Sequence, residues 1–131
     1  MFLSPLLKAP RQVHHLQNRR NGLILAVSLI PAFDSKARRK GLLSHSTFDE
    51  GSAMLIAPSN AVHTFFMRFP IDILFTARDG RVVKACARVK PWRLAASLRG
   101  FAVIELPSGT LARCETRAGD MLAIVPADSS G

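Results

Sequence analysis

The sequence predicts a mainly β protein: a single small, mostly antiparallel barrel or rolled sheet of six to seven strands with one to three short helices. Three observations predict this class. Apolar residues make up 48% of the 131 positions, which excludes a disordered chain and suffices for one modest core. Short runs rich in Val, Ile and Phe recur, separated by Gly, Pro, Asp and Asn. The pair Asp79-Gly80 between two such runs is typical of a tight hairpin turn.

The domain is expected to follow a basic arm. Residues 1–21 mix prolines, two adjacent histidines and arginines without periodicity, which predicts a flexible basic N-terminal arm. Residues 22–126 are the predicted single β-barrel domain, and residues 127–131 a disordered tail. The apolar run at 23–30 is interpreted as the first strand, ended by Pro31. Alternatively, residues 19–32 act as an export signal, since two arginines precede that apolar run.

The remaining elements follow from periodicity and turn residues. Further strands are predicted at 53–57, 62–69, 71–76, 83–90, 101–106 and 121–125, and helical turns at 35–40, 94–99 and 110–114. In the return strand of the hairpin, alternation predicts that Val83, Ala85, Ala87 and Val89 face inward while Lys84, Cys86, Arg88 and Lys90 face outward.

The charge favours a polyanionic partner such as nucleic acid or anionic lipid, since the net charge is +9 and the pI about 11.1. Between Arg78 and Arg99 seven basic residues stand against the single Asp79. A nucleic-acid interface is one interpretation of this stretch, with Trp92 stacking on a base, and a solvated basic face is the other. The interface would use Lys84, Arg88, Lys90, Arg93 and Arg99.

The cysteine and hydropathy patterns indicate the redox state of the thiols and the cellular compartment. Cys86 and Cys114 do not form a disulfide scaffold and match no metal-ligand spacing, so we expect reduced thiols, no metal and a cytoplasmic protein. No apolar run reaches the roughly 18 residues of a membrane-spanning helix. No cofactor is predicted, because the sequence has no Gly-rich phosphate loop and no His/Cys cluster.

A series of short motifs resembles a prokaryotic family known only as domain of unknown function number 192. The resemblance covers residues 23–125 and implies a small β-rich barrel with short helices, without implying a substrate, cofactor or catalytic residue. One departure is Ala53, where the family tends to have Gly. The motifs are Arg39–Leu43, Met54–Ile56, Phe66–Phe75, Asp79–Val82, Pro91, Val103–Gly109 and Gly119–Asp120.

Asp72 is the most unusual polar residue, because a carboxylate between Ile71 and Ile73 is costly to bury without partners. It is interpreted as a general acid/base, as a ligand-orienting group, or as a structural residue that accepts backbone amides or pairs with Arg39. A carboxylate-dependent hydrolase would need Asp72 close to Glu105 or Asp120.

The function that these patterns favour is a non-catalytic module that binds a small molecule or peptide in a cleft near Asp72. Nucleic-acid binding and carboxylate-dependent hydrolysis are the alternatives, and the lack of a nucleophile elbow argues against an enzyme. The candidate ligand-binding residues are Arg39, Met54, His63, Met67, Asp72, Trp92 and Glu105.

Overall fold

The computed structural model describes residues 1–33 and 49–127, and its elements are mainly strands, as the sequence predicts. Two short helices lie in these residues, α1 (Ser4–Lys8) and α2 (Thr110–Arg113). The strands are β1 (His14–Asn18), β2 (Ile24–Ala26), β3 (Ser28–Ala32), β4 (Ser52–Ile56), β5 (Ala61–His63), β6 (Ile71–Thr76), β7 (Val82–Val89), β8 (Leu94–Ala96), β9 (Ala102–Pro107) and β10 (Leu122–Pro126).

These strands form three sheets. A three-stranded sheet has the order β10-β1-β2, a central five-stranded sheet has the order β3-β4-β9-β6-β7, and β5 and β8 form a two-stranded ribbon. All pairs are antiparallel except β3 with β4. Across the described ranges the sheets do not close on one another, so the barrel that the sequence predicts is not confirmed.

The central sheet is covered on both faces, since every side chain of β6 is buried. Leu74 and Ile104 lie on the face toward the three-stranded sheet, where the first core forms. Ile73 and Val103 lie on the opposite face, in a second core that includes Val62 of the ribbon. Because successive side chains of a strand point to opposite faces, neighbouring residues of β6 and β9 belong to different cores.

Residues 1–21 are not a flexible arm, and this part of the sequence prediction is wrong. Phe2 and Leu6 are buried in the first core, and β1 pairs with both β2 and β10. Phe2 also packs against the hairpin turn: a Cβ at Gly80, whose φ is +94°, would lie 2.8 Å from the Phe2 ring. Burial of Phe2, Leu3 and Leu6 holds this segment.

The apolar run at 23–30 forms two strands rather than one. β2 and β3 belong to different sheets, and the chain changes sheets at Val27, whose amide donates to the Gly51 carbonyl (2.8 Å). The residues of the possible export signal therefore lie largely within folded strands. No helix in the described part of the chain is long and apolar enough to cross a membrane.

Two predicted elements near the ribbon of β5 and β8 differ from those in the structure. The strand predicted at 62–69 ends at His63, and the helical turn predicted at 94–99 begins instead as β8, which pairs with β5. Val62 pairs with Ala95 and both face the second core. The predicted helix at 35–40, with Arg39, falls outside the described residues.

The return strand β7 does not alternate regularly. Register shifts interrupt its pairing with β6, and Arg88 has a φ of +53°. As a result Cys86 packs half-buried against the second core, whereas Ala85 and Ala87, predicted to face inward, are exposed. A bulge changes which residues face the core, and this explains the error.

An ion pair between the buried Asp120 and the partly exposed Arg20 joins segments near the two ends of the chain. Asp120 accepts from Arg20 Nε (2.7 Å), from Asn18 Nδ2 (2.9 Å) and from the Arg117 amide (3.0 Å). These hydrogen bonds, above all that from Arg20, lower the pKa of Asp120 from 3.8 to about 2. The network fixes β1 beside the turn that precedes β10.

We expect Asp120→Asn to lower the free energy of unfolding at pH 7 by about 1 to 2 kcal/mol, a discounted value since Arg20 is partly exposed. Because the folded pKa lies below the unfolded one, the stabilisation is complete above pH 3.8 and is lost as the pH falls toward 2. Urea unfolding at pH 6 and at about pH 2 measures this. Glu50→Gln, which removes an exposed charge, is the control; a pH-independent difference between wild type and Asp120→Asn would contradict the account.

Candidate functional site

The candidate site is organised by Thr64, a buried residue in the connection that follows β5. Its hydroxyl donates to the Lys90 carbonyl (2.7 Å) and accepts from the Arg93 amide (2.9 Å). Its backbone carbonyl accepts from the amides of Trp92 (3.0 Å) and Met67 (3.2 Å). One side chain and its peptide unit therefore hold the 64–67 segment against the 90–93 segment.

Four rings meet above this hydrogen-bonded base, and we call them the aromatic cluster: His63, Phe65, Phe66 and Trp92. His63 stacks on Phe65 with ring centroids 4.7 Å apart, and Phe65 stacks on Trp92 at 5.6 Å. Phe66 meets Trp92 edge to face at 4.6 Å. These are favourable geometries for aromatic pairs.

Two of the rings face solvent and are held there by an unusual backbone. Phe66 is 65% exposed and Trp92 56%, and their φ angles are +67° and +65°. A bulky residue in the left-handed region costs about 1 kcal/mol or more. The surrounding hydrogen bonds offset that cost, so the outward direction of the two rings is fixed by the fold.

The outer face of the ribbon continues this surface. Since Val62 and Ala95 point into the second core, the flanking pairs His63–Leu94 and Ala61–Ala96 point away from it. Leu94 is 75% exposed. The aromatic cluster and the outer ribbon face together form one apolar area, which we call the aromatic surface.

The charge around the aromatic surface has a single sign. Segments 60–70 and 84–100, which build it, contain six basic residues and no acidic residue. All six are exposed, and Lys84 Nζ donates to the Ala96 carbonyl (2.9 Å), which places it beside the ribbon. The six are Arg68, Lys84, Arg88, Lys90, Arg93 and Arg99, five of them the residues predicted as a basic face.

The other candidate residues divide between the two sides of the central sheet. Met54, Met67 and Glu105 lie with the second core, beneath the ribbon, and Met54 and Ile73 pair with Glu105 across the strands. Glu105 is fully buried. These side chains underlie the aromatic surface without reaching solvent, so they are support rather than contact residues.

Asp72 lies on the opposite face, beside Leu106. It is fully buried and accepts from the backbone amides of Arg88 (2.8 Å) and Leu111 (2.8 Å). The structural interpretation, a carboxylate that accepts backbone amides, matches this geometry. Asp72 and Glu105 are not brought together, since they occupy opposite faces, and Asp120 belongs to the network with Arg20.

The described part of the chain contains no metal-binding cluster of cysteine, histidine or carboxylate side chains. Cys114 is buried against the Ile24 carbonyl (3.4 Å), and burial raises the pKa of its thiol. Among the described His, Cys, Asp and Glu residues, no group of three or more is placed to hold a metal ion.

A groove of about 720 Å³ lies away from the aromatic surface, between β2 and α2. Its wall includes the Thr110 hydroxyl, which donates to the Pro107 carbonyl (2.7 Å). The Leu111 amide at the same turn donates to Asp72. The Thr110 hydroxyl and the Leu111 amide are thus engaged within the fold, while Glu50, Ser108 and Arg113 also line the groove.

Sequence reasoning selected Trp92 as a candidate contact residue but did not select Thr64, Phe65 or Phe66. The alternation across 62–69 suggested a strand, which placed Phe66 and Thr64 on a common face. Pro70 was the available signal that this strand could not run on unbroken. The tertiary hydrogen bonds from the 90–93 segment have no local signature.

Comparisons with known proteins agree with the fold. A family model, DUF192, described as "Uncharacterized ACR", matches residues 16–124. A "putative transcription regulator" from Sinorhizobium meliloti has a similar structure, with a TM-score of 0.73, 23% identity, and coverage of 85% of this chain and 91% of its own. A protein of unknown function from Novosphingobium aromaticivorans is also similar, with a TM-score of 0.70 and 21% identity. The match covers 83% of this chain and 81% of that protein. At these identities the likeness concerns the fold. A search of curated proteins found no match.

We expect Thr64→Val to lower the free energy of unfolding by about 1 to 3 kcal/mol, because it leaves the Arg93 amide and the Lys90 carbonyl without their shared hydroxyl. The emission of Trp92 should shift as the 90–93 segment loosens, and it is readily assigned because the chain has one Trp and no Tyr. Thr64→Ser keeps the hydroxyl and is the matched control. Equal behaviour of the two variants would show that the hydroxyl does not organise the site.

We expect Asp72→Ala to destabilise the fold by about 3 kcal/mol, because the buried Leu111 amide and the partly buried Arg88 amide lose their acceptor. Asp72→Asn should cost less, since it keeps one acceptor oxygen. Denaturant unfolding measures both, and the Trp92 emission spectrum of the folded variants should stay that of wild type. A stable Asp72→Ala variant would argue against the structural role.

Proposed function

We propose that this chain, which belongs to the uncharacterised DUF192 family, is a non-catalytic binding module whose ligand contacts the aromatic surface. One observation carries the proposal: Phe66 and Trp92 are held exposed by left-handed backbone and the Thr64 hydrogen bonds. Rings kept in place before a ligand arrives lose little conformational entropy when it binds. The fold thus maintains a costly apolar exposure, which is typical of an interaction surface.

The proposal moves the binding site that the sequence suggested. A cleft at Asp72 is not supported, since both carboxylate oxygens accept backbone amides inside the fold. Trp92 and His63 keep their candidate role as contact residues, while Met54, Met67 and Glu105 support them from beneath. The expected ligand is a small molecule or peptide with an apolar, planar group and negative charge, because the rings are bordered by cations alone.

Nucleic-acid binding is the second candidate. Exposed cations at Lys90 and Arg93 flank Trp92, which fits a single strand whose phosphates pair with the cations while a base stacks on the indole. The description of the Sinorhizobium meliloti neighbour as a "putative transcription regulator" points the same way. This candidate predicts affinity that falls steeply as salt rises.

The test uses 8-anilinonaphthalene-1-sulfonate, a planar apolar anion, as the probe. We expect saturable binding with energy transfer from Trp92, and about a tenfold loss of affinity in Phe66→Ala, because one of the two exposed contact rings is removed. Phe33→Ala removes an exposed ring outside the cluster and is the matched control. A short single-stranded DNA, titrated at low and high salt, tests the second candidate in parallel.

The proposal fails if the probe binds without energy transfer from Trp92, or if Phe66→Ala and Phe33→Ala bind it equally. Circular dichroism of each variant separates loss of a contact from loss of the fold. Enhanced Trp92 quenching by the oligonucleotide at low salt, lost at high salt, would favour nucleic acid as the natural ligand.

A further inference from the structure

We propose that the partner of the aromatic surface is an anionic lipid interface, onto which the protein docks through the ribbon. The inference rests on the proposed function, binding at the aromatic surface, and assigns to that surface an extended anionic lipid layer in place of a small molecule or peptide. It follows from three properties of the surface: its mixture of aromatic and aliphatic side chains, its exclusively positive border, and its fixed outward geometry.

The first property is the set of side chains that protrude. Besides Phe66 and Trp92, Leu94 is 75% exposed and Leu98, in the turn after β8, is 98% exposed. The Gly100 amide donates to the Ser97 carbonyl (2.9 Å), which closes the turn with Leu98 at its outside. Leucine and tryptophan projecting from turns suit the boundary between lipid headgroups and acyl chains.

The aliphatic members distinguish the possible occupants. A leucine neither stacks on a base nor donates a hydrogen bond, so Leu94 and Leu98 add nothing to a nucleic-acid site, whereas both gain from burial among acyl chains. The Ala61–Ala96 pair beside them is also exposed and apolar. The ribbon thus presents an exposed apolar face that a fluid lipid surface can cover.

The second property is the border charge. Lys90 and Arg93 flank Trp92 in sequence, Arg68 follows Phe66 by two residues, and Arg99 follows Leu98 directly. Segments 60–70 and 84–100 contain no acidic residue, so no charge within them repels an anionic headgroup. A second copy of the chain would bring the same positive border into contact with itself, which disfavours a symmetric dimer through this face.

The third property is rigidity. The Thr64 hydrogen bonds and the left-handed residues Phe66 and Trp92 hold the apolar side chains outward without a ligand. Docking onto a lipid surface then needs no rearrangement of the backbone. The long stems of the flanking cations let their charged ends reach headgroups while the rings enter the interface.

The experiment uses the full chain and vesicles of phosphatidylcholine alone or mixed with phosphatidylglycerol. Sedimentation gives the bound fraction, and Trp92 emission reports insertion. We expect binding that requires the anionic lipid, with a blue shift of Trp92 emission and quenching by bromine-labelled acyl chains. Replacing Lys90 and Arg93 by Gln should weaken binding roughly 30-fold, since each removes about 1 kcal/mol of attraction to the anionic leaflet.

Leu98→Ser should weaken vesicle binding about tenfold, because a nearly fully exposed leucine no longer enters the acyl region. Because Leu98 is solvent-exposed, this variant is expected to fold normally. Val13→Ser is its matched control, being an exposed apolar residue outside the surface. Replacing Lys8 and Arg11 by Gln is the control for the charge variant, with the same change in net charge and both residues exposed elsewhere.

Each outcome decides between the claims. Absent vesicle binding, or binding without a Trp92 blue shift, overturns the lipid inference; equal weakening by the test and control variants overturns it as well. If vesicles fail while the naphthalene probe still depends on Phe66, the binding module stands and lipid is the wrong partner. If Trp92 responds to single-stranded DNA in preference to vesicles, nucleic acid replaces lipid. If probe, DNA and vesicles all fail, the proposed function fails with the inference.

Discussion

The structure depends on one constraint: the central strands β6 and β9 are buried on both faces, so both faces of the five-stranded sheet must be covered. The three-stranded sheet and α1 cover one face, and their apolar side chains form the first core. The ribbon and the connection after β5 cover the other. Since the ribbon is a single layer, no other described element covers its outer side, where Leu94 is 75% exposed, and this geometry produces the aromatic surface.

Buried polar groups hold the layers in place. Asp72 fixes the bulge at Arg88 and the start of α2 through two amides, and the Asp120 network attaches β1 to the turn before β10. Thr64 performs the corresponding task on the other side of the central sheet. In each case a buried acceptor or hydroxyl connects segments that are distant in sequence, which explains why these residues are internal.

Local patterns predicted the parts of the fold that depend on local chemistry. The hairpin at Asp79-Gly80, β6 and β9 follow from turn residues and apolar runs. β1 was not predicted because its buried positions include two polar residues, His14 and Asn18. Long-range contacts make such burial possible: Asn18 donates a hydrogen bond to Asp120, which is 102 residues away. Phe66 was assigned to a strand for the same reason, since the hydrogen bonds that end the strand come from residues 90–93. Asp72 and Glu105 lie on opposite faces of the sheet because of the register in which β6 pairs with β9. No local sequence pattern specifies that register.

The most direct test of a preorganised aromatic surface is an amide and indole chemical-shift map of the full chain, titrated with the naphthalene probe. The single Trp provides one indole N–H signal that reports Trp92 alone. The account predicts that the largest shifts fall on that signal and on residues 60–68 and 90–98. Largest shifts at residues 24–27 and 107–113, around the groove between β2 and α2, would contradict it and place the binding site there.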